Sequence, residues 1–214
     1  SLKEKACQAV GINFHLYKFP ASETAKNIAA TIEFLNQDPD IHGMIIQLPL
    51  PPHLNEDELI AKMDPAKDAD GFHPKNLELV DAGKPRIIPG LIAGILKFLD
   101  STGEDLTNKT AVVVSNSPIF ATPLEIELKH HGLRSAAVNS HDPKVKDWTR
   151  RADIVIVAVG QAGWLKAEDI KKDAILIDVG INRLADGMVV GDIDAESVKD
   201  KAAYLTPVPG GTGP

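Results

Sequence analysis

The run IVIVAV at residues 154–159 decides the fold class, because it is short, almost wholly apolar and rich in β-branched residues. Such a run is typical of a strand buried on both faces of a parallel sheet. Similar runs lie on either side of it along the chain, at Ala111–Val114, Ala136–Val138, Ile175–Val179 and Tyr204–Thr206. A helical pattern at Leu124–His131 separates the first two of them. This alternation predicts a Rossmann-like parallel sheet with helices on both faces.

The first half of the chain shows a comparable mixture of helices and strands. Helices are predicted at Ser1–Val10, from Ser22 to Leu35, at Glu56–Met63 and, as a connection to the second half, at Ile92–Asp100. Ile12, Phe14 and Leu16 alternate with polar residues, which predicts a strand. The apolar run Gly43–Leu48 (GMIIQL) predicts a buried parallel strand. The chain is therefore expected to be an α/β protein of two domains.

Composition excludes several classes of function. The chain has 214 residues, and 23 Lys and Arg against 30 Asp and Glu give a net charge of −7. Binding to nucleic acid or to an anionic membrane needs a concentrated basic surface, which no stretch of the sequence supplies. No apolar stretch approaches the roughly 18–20 residues that cross a bilayer. Cys7 is the single cysteine, which excludes an intrachain disulfide and a thiolate zinc site and is compatible with the cytoplasm.

The two ends of the chain begin and stop abruptly. The first helix starts at Ser1 without a cap, and the last element is the glycine-rich PVPGGTGP of Pro207–Pro214. We therefore expect the native polypeptide to extend beyond both ends.

In α/β sheets, ligands gather beyond the carboxyl ends of the strands. Three polar features of the first half are candidates for such a site. Gln47 ends the run GMIIQL, and it can be either a ligand group or a strand-end amide bonded to backbone. Asp68 and Asp70 lie in KDADGFH, where a turn role competes with ligand binding. Lys3 lies beside the apolar face of the first helix, where a solvated lysine is the ordinary interpretation. A simple turn is likewise the alternative for the glycine loop Gly210, Gly211 and Gly213, although glycines also permit close backbone approach to a ligand.

The order of several motifs resembles the methylenetetrahydrofolate dehydrogenase/cyclohydrolase family over essentially the whole chain. The matching stretches are KEKACQAVGI (3–12), HGMIIQLPLP (42–51), KDADGFHP (67–74), VAVGQAGWL (157–165), AILIDVGINRL (174–184), VVGDI (189–193) and YLTPVPGGTGP (204–214). Any one of these is a weak match, but QLPLP, the KDxDG loop and TPVPGG-x-GP are specific in combination.

The resemblance implies a role for each candidate residue. Lys3, Gln47 and Asp70 correspond to the family's catalytic lysine, the glutamine beside it and the aspartate that holds the pterin. Proton transfer by an amine near neutral pH requires partial burial or a suitable neighbour. A neutral amide can bond to the amine without favouring its charged form. The residues implied in substrate binding are Pro49, Gly210, Gly211 and Gly213.

The dinucleotide turn of the family is altered in this chain. The resemblance places NADP, or NAD, against Ser115, Asn116, Ser117, Ala121, Asp142, Gly160 and Ile181. The family's two turn glycines correspond to Ser115 and Ala121, and its arginine to Asn116. Thr122–Glu125 (TPLE) reads as a capping box with proline at the first helical position, which would put the acidic Glu125 where a phosphate binds. Asp142 is either a contact to the ribose of NAD or a turn aspartate before Pro143.

The resemblance also implies an overall organisation and activity. Residues 1–88 form a folate-binding catalytic domain, 89–206 a dinucleotide-binding domain and 207–214 a glycine loop returning to a folate cleft between the domains. By this resemblance, the chain is expected to oxidise methylene-tetrahydrofolate with NAD(P) and to hydrolyse the methenyl product to formyl-tetrahydrofolate, as a cytoplasmic homodimer without a metal. Because the turn is altered, hydrolysis is expected to be better preserved than hydride transfer. The alternatives are a non-catalytic pterin- or nucleotide-binding relative and an unrelated Rossmann dehydrogenase.

Overall fold

The computed structural model describes residues 2–212. The chain forms two compact units, Ser1–Lys67 and Asp68–Pro214. The second unit contains a five-stranded parallel sheet with helices packed on it, which confirms the predicted α/β class.

Three helices make up the regular structure described in the first unit: α1 at Leu2–Ala9, α2 at Ala25–Gln37 and α3 at Glu56–Ile60. The N-cap of α2 is Thr24, whose side chain accepts a bond from the backbone of Asn27, so the helix begins later than the predicted Ser22. The N-cap of α3 is Asn55, and the helix ends at Ile60, before the predicted Met63.

Two strands predicted in the first unit are wrong. Ile12 and Leu16 are 56% and 64% exposed, and no strand is assigned to residues 12–16. Gly43–Leu48 is not a strand either, although the Met44 N–H donates to the Lys67 carbonyl at 2.7 Å. An apolar run favours extended backbone, but a strand also needs a neighbouring edge to pair with, which the run itself does not encode.

The second unit alternates strands and helices as predicted. Its larger elements are α4 (Pro74–Asp81), α5 (Gly90–Ser101), β1 (Thr110–Ser115), α6 (Pro118–His130), β2 (Arg134–Val138), α7 (Val145–Thr149), β3 (Ile154–Ala158) and β4 (Ile175–Asp178). They are followed by a hairpin of β5 (Asn182–Arg183) and β6 (Val189–Val190), by α8 (Ala195–Val198) and by β7 (Tyr204–Leu205).

The sheet has the order β2-β1-β3-β4-β7, with every neighbouring pair parallel. From β1 the chain pairs first with β2 on one side and then with β3 on the other. Such a reversal leaves a crevice at the carboxyl ends of the two central strands, where ligands of doubly wound sheets bind. Ser115 and Ala158 are paired at this edge.

The core lies on both faces of the sheet, because successive strand side chains point in opposite directions. Ala111 and Val113 belong to the apolar layer that contains Ile95 of α5 and Leu124 of α6. Val112 and Val114 belong to the opposite layer, with residues of α7 and α8. Burial on both faces explains why these strands are recognisable from uninterrupted apolar runs.

Candidate functional site

The first part of the candidate site is a contact between an amine and an amide in the first unit. Lys3 is exposed on α1, and its Nζ donates a hydrogen bond to Gln47 Oε1 at 2.5 Å. The Gln47 Nε2 donates to the Leu48 carbonyl at 2.9 Å, which fixes the amide oxygen toward the lysine. Two residues 44 positions apart in sequence are thereby brought together.

The proline-rich segment after Gln47 is held by the neighbouring helix. The Leu50 N–H donates to Glu56 Oε1 at 2.8 Å, and Glu56 is the first residue of α3. Pro49 lies exposed between Gln47 and this anchor, after a cis peptide bond with Leu48. The anchor places Gln47 and Pro49 on a segment whose backbone is bonded at both ends.

The two aspartates of the KDADG loop have different environments in the second unit. Asp68 is buried and accepts bonds from Gly71 N, His73 N and Asn76 Nδ2, at 3.0, 2.8 and 2.9 Å. Asp68 therefore has the turn role that the sequence offered as one interpretation. Asp70 is half-buried within the loop that Asp68 organises. The two aspartates of the loop thus differ in burial, and the hydrogen bonds of Asp68 hold the loop backbone.

The glycine loop follows β7 and is tied to the end of β4. Thr212 Oγ1 donates to the Asp178 carbonyl at 2.7 Å, and Thr206 Oγ1 accepts from the Asp178 N–H at 2.8 Å. A Cβ atom on Gly211 would lie 2.3 Å from the Pro207 carbonyl oxygen, so only glycine fits there. Gly210 has a φ of +95°. Gly213 lies outside the described residues.

The dinucleotide turn lies at the carboxyl end of β1, and its helix begins earlier than predicted. Helix α6 starts at Pro118, so the predicted capping box at Thr122–Glu125 is wrong and Pro123 lies inside the helix. Glu125 instead bonds to Lys129 Nζ at 2.6 Å and to Ala137 N at 3.1 Å. Pro118 and Pro123 both suit the first turn of a helix, and the helix begins at Pro118. Because Pro123 then lies inside the helix and has no N–H, one backbone hydrogen bond of the helix is missing there.

The earlier start makes this turn suitable for a pyrophosphate. The N-cap Ser117 makes no side-chain capping bond, and no acidic residue lies in the first turn of α6. An uncapped helix N-terminus presents backbone N–H groups and a partial positive charge to an anion. Ser115 is buried, and its Oγ accepts from the Ser117 N–H at 3.1 Å. The buried Ala121 lies in the second turn of the helix.

The remaining cofactor candidates lie at the neighbouring strand ends. Asn116 Oδ1 accepts from the Ser140 hydroxyl and N–H at 2.8 and 3.2 Å, which joins the turns after β1 and β2. Asp142 Oδ1 accepts from Lys144 N at 2.7 Å, a bond typical of an aspartate in a turn. Gly160 follows β3, and Ile181 is 64% exposed after β4.

Sequence reasoning missed two buried aspartates at this edge, Asp178 and Asp192. They are 2% and 0% exposed. The pKa of Asp178 is raised above its usual value, chiefly by burial and also by the charge of Asp192. Hydrogen bonds from the backbone N–H groups of Ile193, Asp192 and Gly180 lower this pKa but do not offset the effect of burial. The available signal was an ionisable residue within two positions of a glycine in two otherwise apolar motifs, IDVG and GDI.

The described part of the chain contains neither a metal-binding cluster nor a membrane-spanning helix. Within residues 2–212, no group of three or more His, Cys, Asp or Glu side chains is arranged to hold a metal ion. In the same part of the chain, none of the helices has the length and apolar character that crossing a membrane requires.

Family models and individual relatives indicate the same family for this chain. Residues 1–70 match the family model described as the catalytic domain of tetrahydrofolate dehydrogenase/cyclohydrolase, and residues 89–214 match its NAD(P)-binding domain. The bifunctional protein FolD of Bacillus licheniformis is 43% identical over 212 residues, which is 99% of this chain and 75% of that protein. FolD of Geobacillus thermodenitrificans is 44% identical over 213 residues, with the same two coverages.

Solved structures agree with these sequence matches. The FolD methylenetetrahydrofolate dehydrogenase/cyclohydrolase of Campylobacter jejuni superposes with a TM-score of 0.92 at 37% identity, covering 99% of this chain and 75% of that one. The Trypanosoma brucei enzyme, in complex with NADP and an inhibitor, gives a TM-score of 0.92 at 33% identity with the same coverages.

Proposed function

The chain belongs to the tetrahydrofolate dehydrogenase/cyclohydrolase family, and from this we propose that Lys3, Gln47 and Asp70 carry its folate chemistry. The protein is an enzyme of one-carbon folate metabolism, a methylenetetrahydrofolate dehydrogenase and methenyltetrahydrofolate cyclohydrolase. The non-catalytic alternative is not favoured. The observation that carries the proposal is the hydrogen bond from Lys3 Nζ to an amide oxygen whose orientation is fixed.

Hydrolysis of the methenyl bridge requires a group that moves protons. Water adds to the bridging carbon, and one carbon–nitrogen bond of the bridge then breaks as the ring nitrogen takes up a proton. We assign to the Lys3 amine the acceptance of a proton from the attacking water and its delivery to the departing nitrogen. Gln47 is neutral, so it orients the amine without adding the negative charge that would favour the ammonium form.

Binding of the folate rests on a carboxylate and on the glycine loop. The Asp70 carboxylate accepts hydrogen bonds from the adjacent N–H donors of the amino-pyrimidine edge of a pterin. Pro49 is assigned to substrate binding, and Gly210, Gly211 and Gly213 let the backbone approach the ligand closely.

The cofactor is NADP, which supplies a hydride acceptor for oxidation of the methylene bridge when it is bound. The turn after β1 fits the pyrophosphate, because α6 begins there without a side-chain cap or an acidic first turn. We assign cofactor contacts to this turn and to the neighbouring strand ends, namely Ser115, Asn116, Ser117, Ala121, Asp142, Gly160 and Ile181. The helix start at Pro118 removes the objection that Glu125 raised against a phosphate.

The finer organisation is also part of the proposal. We place the catalytic domain at residues 1–88, the dinucleotide-binding domain at 89–206 and a folate-binding glycine loop at 207–214. A cytoplasmic homodimer is the proposed state, supported by the family and by the presence of one cysteine in the sequence. Light scattering of the purified protein measures the oligomer, and the mass of a monomer contradicts this part.

The substitution Lys3→Met tests the catalytic assignment. We expect cyclohydrolase activity to fall by about 100-fold or more, in the range of a general acid–base contribution, with folate binding retained. Lys5→Met is the matched control, because Lys5 is another exposed lysine of α1. Equal hydrolysis by wild type and Lys3→Met would refute the assignment and favour a non-catalytic relative.

A further inference from the structure

One buried carboxylate gathers the backbone of the turn that follows β3. Asp192 Oδ2 accepts from the N–H groups of Val159 and Gly160, at 2.6 and 2.9 Å. Its Oδ1 accepts from Gln161 N and from Asn182 Nδ2, both at 2.8 Å. Three successive backbone N–H groups at a strand end form an anion-binding concavity. Here the anion is a side chain of the same chain, so the conformation of the turn depends on residue 192.

A second buried carboxylate holds Asp192 in place. Asp178 Oδ1 accepts from Gly180 N and from Asp192 N, at 2.9 and 3.0 Å, and its Oδ2 accepts from Ile193 N at 2.8 Å. A Cβ atom on Gly191 would lie 1.9 Å from Asp178 Oδ2, so glycine is required for this close approach.

The pair lies between elements that the proposed function assigns to different ligands. On one side, Asp192 bonds to Gly160 and Asn182, which flank the carboxyl ends of β3 and β4. On the other side, the Asp178 backbone bonds to Thr206, which directly precedes the glycine loop, and to Thr212 within it. The Asp192 side chain therefore acts on the turn 159–161, whereas the glycine loop is bonded to the backbone of residue 178, whose side chain holds Asp192.

We propose that Asp192 is a positioning residue for the dinucleotide, which it serves by holding the turn 159–161, and that Asp178 connects this turn to the glycine loop. The inference rests on the proposed function. It predicts unequal effects on the two reactions, because hydride transfer needs the cofactor and hydrolysis does not.

Asp192→Asn tests this role with little change in size. An amide has one acceptor oxygen in place of two, so at least one pair of N–H donors loses its partner. We expect the NADP dissociation constant, measured by titration calorimetry, to rise about tenfold or more. Dehydrogenase kcat/KM is expected to fall by a similar factor, whereas cyclohydrolase activity per folded molecule is expected to stay within about twofold of wild type.

Asp169→Asn is the matched control, because Asp169 is another buried aspartate of this unit, bonded to Lys146 Nζ and Lys166 N. We expect it to leave the NADP dissociation constant unchanged. If Asp192→Asn fails to fold, Asn182→Ala removes one donor to Asp192 at a half-buried position, and its expected effect on NADP binding is about threefold in the same direction.

The outcomes are distinct. An unchanged NADP dissociation constant, or a parallel fall of both activities with the folded fraction, overturns the positioning role. A wild-type protein without either activity overturns the proposed function instead, and the calorimetric comparison still decides whether Asp192 positions a bound dinucleotide.

Discussion

The amide of Gln47 is constrained on both of its polar atoms. Its nitrogen donates to the Leu48 carbonyl and its oxygen accepts from Lys3 Nζ. An aspartate or glutamate would offer the amine a second charge, whereas the amide offers only a dipole. The residue type at position 47 therefore decides whether Lys3 faces a dipole or a second charge.

Gln47→Glu should consequently weaken hydrolysis at neutral pH. A carboxylate beside Lys3 favours the ammonium form, so the pH at which hydrolysis is half-maximal is expected to move upward by about one unit. The pH profile of cyclohydrolase kcat/KM measures this shift. Gln8→Glu makes the same charge change on α1 and serves as control. A profile that stays in place for Gln47→Glu would show that residue 47 does not influence the acting group.

At the scale of elements, the start of α6 determines which group faces an incoming anion. The helix begins at Pro118 after an N-cap serine whose hydroxyl makes no capping bond. Helices usually satisfy their first-turn N–H groups with the side chain of the N-cap residue. In α6 the Ser117 side chain does not do so.

Ser117→Asp should have opposite effects on stability and on cofactor binding. An aspartate at this N-cap accepts hydrogen bonds from first-turn N–H groups and interacts favourably with the helix dipole. These two interactions are expected to raise the free energy of unfolding by about 0.5 kcal/mol. The same negative charge opposes a pyrophosphate, so the NADP dissociation constant is expected to rise about tenfold. Urea unfolding and calorimetric titration measure the two effects. Ser22→Asp is an exposed control in the other unit, and an unchanged affinity for Ser117→Asp contradicts the placement of the pyrophosphate.

At the scale of the whole molecule, acid stability depends on a carboxylate at the amino ends of β1 and β3. Burial opposes ionisation of Asp153, but hydrogen bonds from Lys171 and from Thr110 N and Oγ1, with the charge of Lys171, outweigh it. The pKa of Asp153 is thereby lowered from 3.8 to about 2. A lowered carboxyl pKa stabilises the native state above pH 3.8, and this contribution is lost as the pH falls toward 2.

Asp153→Asn is expected to lower the free energy of unfolding by about 2 kcal/mol at pH 7, following about 1.4 kcal/mol for each unit of pKa change. The difference between variant and wild type should shrink between pH 4 and pH 2, where the wild-type carboxylate becomes protonated. Denaturant titrations at several pH values measure it. A difference that is constant over this range would show that the loss arises from packing instead of charge.

The strands of the second unit could be predicted from sequence because they are buried on both faces, as Val113 and Ile156 illustrate with 0% exposure. Gly43–Leu48 could not, because its apolar residues carry no information about a pairing partner. The start of α6 was ambiguous because Pro118 and Pro123 both suit a first turn. The hydrogen bonds that Asp192 accepts from Val159 and Gly160 join residues more than 30 positions apart, which local patterns do not reveal.

The amine–amide contact of Lys3 and Gln47 belongs wholly to Ser1–Lys67, and the altered dinucleotide turn belongs wholly to Asp68–Pro214. Mutations in the dinucleotide turn therefore need not disturb the contact between Lys3 and Gln47, and mutations near that contact need not disturb the turn. In evolutionary terms, the coenzyme turn can therefore diverge without altering the Lys3–Gln47 contact itself.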